Sequence, residues 1–115
     1  MIPGKYNIIC PQGTTFSQQL IYSLNNVPMN LTGFSARMQI REKHTTPHYQ
    51  LSLTSSNGGL VLGGEAGTII INVSSTQTTA IHAKEYVYDL ELVSSSNLVT
   101  RIIEGKFIVT PEVTR

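Results

Sequence analysis

The chain has 115 residues and a net charge of +1, and charged side chains make up only 13% of it. Ser, Thr, Asn and Gln supply 37 residues, so its polarity comes mostly from uncharged groups. That balance excludes an electrostatic nucleic-acid binder, which needs a basic face; no apolar run nears the 18 residues of a membrane-spanning helix, and one cysteine excludes an intrachain disulfide or multi-cysteine zinc site.

The length predicts one domain over 1–115, large enough to bury roughly 65% of its unfolded surface. At the amino terminus no charged region precedes an apolar one, so export by a signal peptide is not expected. Met1-Ile2-Pro3-Gly4 is apolar but too short to fold alone. Segment 1–6 is read as an arm that orders against a partner, with Met1, Ile2 and Pro3 as candidate contacts. Cys10 reads as a small buried hydrophobe in a first strand. Pro28 and Asn30 read as a loop before Leu31-Thr32-Gly33.

From Phe34 to Arg41 the alternation is complete. Phe34, Ala36, Met38 and Ile40 face one way, and Ser35, Arg37, Gln39 and Arg41 the other. Period two describes a half-buried strand. Tyr49, Leu51 and Leu53 alternate likewise, as do Ile69, Ile71 and Val73. Between them, Asn57-Gly58-Gly59 reads as a hairpin turn. Gly63 to Gly67 reads as a glycine-rich bend. Ser74 to Ile81 breaks the period and predicts one helical turn capped by Ser74 or Ser75.

Tyr86, Tyr88, Leu90 and Leu92 alternate with Val87, Asp89, Glu91 and Val93. A polar loop, Ser94 to Asn97, should join this strand to an antiparallel partner over Leu98–Thr110. Glu104-Gly105 reads as a bulge in that last strand, and Pro111 should end it. Short strands with frequent turns predict an all-β, immunoglobulin-like antiparallel sandwich of about seven or eight strands, with a short helical corner near 75–81. Tyr86 or Tyr88 could serve as its corner tyrosine, or as plain core. The expected core anchors are Phe34, Met38, Ile40, Tyr86, Tyr88 and Leu90.

Chemistry is harder to find. His44 and His48 are four apart, but Pro47 forbids a helix that would align them. They read as exposed in a loop over 43–48. Lys43, His44 and His48 are therefore candidate partner contacts rather than metal ligands. No nucleophile elbow appears around any Ser, and the glycines match no phosphate loop. Asp89 and Glu91 share a strand face near 7 Å apart, within range for paired catalytic carboxylates. Cross-strand charge pairing with Arg101 or Lys106 explains them without catalysis. No catalytic, cofactor or metal site is assigned. The outer face of Gln39, Gln50, Ser52 and Thr54 reads as polar and nearly neutral, suited to packing against neighbours in an assembly.

Three segments resemble small structural proteins of tailed bacteriophages: Asn30 to Arg41, Tyr86 to Leu92, and Val99 to Arg115. The opening Gln12-Gly13-Thr14-Thr15-Phe16 shares the resemblance. A weaker likeness is to the amino-terminal domain of phage baseplate upper proteins, with its Leu-Thr-Gly turn and late Tyr-Asp-Leu strand. The resemblance implies a non-enzymatic virion component at the neck, tail or baseplate. Its expected partners are other virion proteins, in several copies and a symmetric assembly. Neither nucleic acid nor membrane is expected as a partner. A capsid decoration protein and a carbohydrate-binding β module are the alternatives.

Overall fold

Each alternating run contains a strand in the computed structural model, which describes residues 3–114, although Phe34 and the exposed Tyr49 fall just outside theirs. The strands are β1 (Gly4–Lys5), β2 (Ile8–Pro11), β3 (Phe16–Ile21), β4 (Ser23–Leu24), β5 (Val27–Pro28), β6 (Ser35–Arg41), β7 (Leu51–Thr54), β8 (Leu60–Leu62), β9 (Thr68–Val73), β10 (Glu85–Val93) and β11 (Val99–Thr110). Eight have three residues or more; β1, β4 and β5 have two each. One helix, α1 (Ser75–Thr79), joins β9 to β10.

Two sheets face each other. The larger runs β11-β10-β6-β7, with β1 and β2 both on the outer side of β11. The smaller runs β3-β9-β8, and β4 and β5 form a separate hairpin. This is the immunoglobulin-like order, with G-F-C-C′ in one sheet and B-E-D in the other. The amino-terminal strands depart from the expected all-antiparallel arrangement. Both β1 and β2 run parallel to β11. Gly4 and Lys5 therefore pair within the chain, which corrects the reading of 1–6 as an arm that orders only on a partner. Met1 and Ile2 lie outside the described residues.

The core lies between the sheets. From β6 come Ala36, Met38 and Ile40; from β10 come Tyr86, Tyr88, Leu90 and Leu92; from β9 come Ile69, Ile71 and Val73. Phe34 packs against this core but is only partly buried. Phe107 sits edge-on to Phe16 at 6.3 Å and to Tyr88 at 6.5 Å, so an aromatic group bridges the layers. Each fully buried side chain of this size contributes about 1.5–3 kcal/mol.

The corner before β10 is fixed by two local devices. Ser74 accepts from the Gln77 backbone N–H, and the Gln77 side chain accepts from the Ser74 N–H, a capping box on α1. The buried Tyr86 hydroxyl donates to the His82 carbonyl at 2.7 Å. That bond makes Tyr86 the corner tyrosine of the sandwich. Tyr88 has a different bond, donating to the Tyr6 carbonyl at 2.6 Å.

Three turn readings change. Asn57-Gly58-Gly59 does not close a hairpin, because β7 and β8 belong to different sheets. Asn57 instead accepts from the N–H groups of Thr54 and Gly59, bending the chain across the sandwich. The irregularity of β11 lies at Ile102, where the register slips between Leu90↔Ile103 and Glu91↔Arg101. Gly105 pairs regularly with Tyr88. Its missing side chain has another cause: a Cβ there would run into the Tyr6 carbonyl. Pro28 is also in a short strand, β5, rather than a loop.

Two substitutions test this frame. Tyr86→Phe deletes the corner hydrogen bond and should cost about 1 kcal/mol in urea unfolding. Gly105→Ala forces the amino-terminal segment off β11 and should cost about 1–3 kcal/mol. If Gly105→Ala unfolds at the wild-type midpoint, the close approach is not a constraint.

Candidate docking surface

The outer face of the larger sheet carries most of the chain's paired charge. Strand alternation places Arg37, Gln39 and Arg41 of β6 beside Asp89 and Glu91 of β10. Arg101, Glu104 and Lys106 of β11 complete the row. Arg37 faces Glu91 across the ladder, and its Nε lies 2.7 Å from Oε1. Arg101 reaches Asp89 at 3.3 Å and Glu104 at 3.5 Å. Lys5 also pairs with Glu104. At the ends, Lys106 meets Glu85 at 3.3 Å and Lys84 meets Glu42 at 2.7 Å. The face expected at Gln39, Gln50, Ser52 and Thr54 is uncharged along β7, but its β6 side borders this row of paired charges. Gln39 sits inside a lattice of charges drawn from three strands, which counting along one strand cannot show.

The loop over 43–48 folds over one end of this face. Arg41 donates to the Thr46 carbonyl, and the Lys43 N–H donates to the Thr46 hydroxyl. Lys43, His44 and His48 are exposed. His44 joins Gln39, Arg41, Asp89, Arg101 and Glu104 around a polar groove of about 350 Å³. His48 does not line it. Among the described residues, no group of three or more His, Cys, Asp or Glu side chains could hold a metal ion. Pro3 is partly buried at the amino-terminal end of the structure.

The carboxylates differ in environment. Asp89 stands opposite Glu104 in the ladder. Burial raises its pKa, Glu91 and Glu104 add to the rise, and Arg101 and His44 oppose it. Glu104 is lowered, first by its hydrogen bond from Lys5. Glu42 is lowered, first by its hydrogen bond from Lys84. Asp89 and Glu91 thus meet arginines on the flanking strands, Arg101 and Arg37. Away from this face, burial pushes the Cys10 thiol up to about 11, which keeps it protonated and unreactive near neutrality.

Sequence reasoning placed no strand at Phe16–Ile21, although β3 pairs along its whole length with β9. Gln18 and Gln19 interrupt the apolar alternation there. The signal available was Phe16, Leu20 and Tyr22 at even spacing.

No protein-family model matches the sequence, and no curated protein does. Among solved structures, CopC from Methylosinus trichosporium OB3b aligns over 97% of this chain and 89% of its own, at 12% identity and a TM-score of 0.49. At that level the likeness carries no argument for function.

The charge lattice predicts an acid response with two opposed parts. Glu42 and Glu104 are held below their ordinary 4.5, so the stability they confer is complete above that value and lost as pH falls through the lowered values. Asp89 is raised above 3.8, so it acts in the opposite sense between 3.8 and its raised value. In urea unfolding at stepped pH, Glu42→Gln and Glu104→Gln should flatten the loss of stability in acid. Asp89→Asn should steepen it. The reverse pattern would show that the pairs in solution are not those described.

Proposed function

We propose that this chain is a non-enzymatic docking module of a tailed-phage virion, at the neck, tail or baseplate. The observation that carries the docking reading is where the polar groups lie. The candidate acid–base residues Asp89 and Glu91 lie with Glu104 along an open sheet face, in cross-strand pairs with Arg101, Arg37 and Lys5. A rigid, patterned charge surface of this kind favours partner choice and register more than raw affinity. The phage assignment has its support in the similarity of segments Asn30–Arg41, Tyr86–Leu92 and Val99–Arg115 to phage structural proteins. On this reading the chain is made in the host cytoplasm and ends in the virion, beside other virion proteins and in several copies.

Size-exclusion chromatography with light scattering tests it, on the chain alone and mixed with virion proteins from the same source. A complex that weakens with salt, and is lost in Arg37→Glu or Arg101→Glu, is the expected result. A chain that ignores every virion protein overturns the reading. The polar groove around His44 favours a second reading, a carbohydrate-binding module, since its amide, guanidinium and carboxylate groups match sugar hydroxyls. Binding on a glycan array, lost in Gln39→Ala, would select that reading.

A further inference from the structure

The strand β3 is an edge without the usual protection. Among the described residues it pairs with β9 alone. In the immunoglobulin arrangement a first strand covers this edge. Here the amino-terminal strands lie on β11 instead. Edge strands normally carry charge, proline, a bulge or very short length to prevent pairing. The other outer strands show such features: β1 carries Lys5, β2 ends at Pro11, β7 has four residues and β8 has three. The six residues of β3, Phe-Ser-Gln-Gln-Leu-Ile, have no charge, no proline and no glycine.

The hydrogen-bond parity of the edge follows from its neighbours. On β9, the Thr68 carbonyl accepts from Gly63 and the Asn72 N–H donates to Gly59, so even-numbered residues bond towards β8. Odd-numbered Ile69, Ile71 and Val73 bond towards β3, where their partners are Leu20, Gln18 and Phe16. The Tyr22 N–H continues this pattern by donating to Gly67 at 2.8 Å. Alternation then turns the N–H and C=O groups of Ser17, Gln19 and Ile21 away from the sheet.

We propose that this edge pairs with the same edge of a second copy, antiparallel about a two-fold axis at Gln19. The parity permits it. Gln19 would exchange both backbone hydrogen bonds with the partner copy's Gln19. Ser17 and Ile21 would exchange theirs with the opposite member of each pair. The two small sheets would join into one of six strands. An isologous contact of this kind closes on itself. Uncharged edges also bring no like charges together on the axis. Beside the edge lies an apolar groove of about 160 Å³, lined by Leu20, Ile21, Tyr22, Ile69, Ile102 and Ile103. Ile21 is 59% exposed. Pairing would set Leu20 of each copy beside Gln18 of the other, along that groove.

Light scattering across a concentration series tests this on the purified chain. The mass should rise from 12.6 kDa towards twice that value. Gln19→Pro removes an N–H that faces solvent in the monomer, a position where an edge strand tolerates proline. Gln19→Lys places like charges on the axis. Both should remain monomeric, with circular dichroism of the wild type. Gln19→Cys should oxidise to a covalent dimer, because Cα atoms of a hydrogen-bonded pair sit about 5.5 Å apart, within disulfide reach. Val61→Cys, exposed on β8, should not. Should Gln19→Pro fail to fold, the lysine and cysteine variants carry the test. A wild type that stays at 12.6 kDa up to about 1 mM overturns the proposal. So does a dimer indifferent to Gln19→Lys. Capture of a different virion protein by a strictly monomeric chain would overturn self-pairing and leave the docking reading standing.

Discussion

The arrangement depends on one close approach, where the amino-terminal segment crosses β11 at Gly105. The Tyr6 carbonyl lies where a Cβ of residue 105 would be. The buried Tyr88 hydroxyl donates to that same carbonyl, and the Tyr6 N–H donates to the Glu104 carbonyl at 3.0 Å. The Asn7 side chain then accepts from the Lys106 N–H. A peptide group held on both sides in this way cannot swing across to the other sheet. It commits β1 and β2 to β11, and so leaves β3 as an open edge. The same contact brings Lys5 to Glu104 and ties the first residues into the charged face.

That face shows how a sheet converts a modest number of charges into a pattern. Exposed ion pairs contribute little each, about 0–1 kcal/mol, because water screens them. Their arrangement matters more than their sum. Arg101 stands between two carboxylates, Asp89 and Glu104, that the ladder sets opposite each other. Burial and the nearby Glu91 and Glu104 raise the pKa of Asp89, and Arg101 opposes the rise. The ladder register thereby sets which charges on this face meet. The open edge of β3 is chemically different: neutral, with backbone groups turned outward and an apolar groove alongside. The two sheets thus present surfaces of unlike character, one charged and one neutral.

The core was legible in the sequence because a strand has a side-chain period of two. Ala36, Met38 and Ile40, or Tyr86, Tyr88, Leu90 and Leu92, can only point together, and the side that is apolar must be the buried one. The cap was narrowed to Ser74 or Ser75 for a similar reason, since capping is decided within four residues. Even the corner tyrosine was narrowed to two candidates by its place after the helical turn.

What depended on distant parts of the chain was not legible. Asn57-Gly58-Gly59 has hairpin composition, yet whether the next strand pairs with β7 or crosses to the other sheet depends on β9, which competes for β8. Gly105 looked like a bulge because its real neighbour, Tyr6, is almost the length of the chain away. Gln39 looked neutral because its charged neighbours sit on other strands. Local periodicity was enough to locate the strongly alternating strands β6, β7, β9 and β10 and their buried faces, while β3, whose alternation is interrupted by Gln18 and Gln19, escaped it. Which strands become neighbours, which charges meet and which edge stays open followed from the folded chain, because backbone pairing joins segments that no local pattern links.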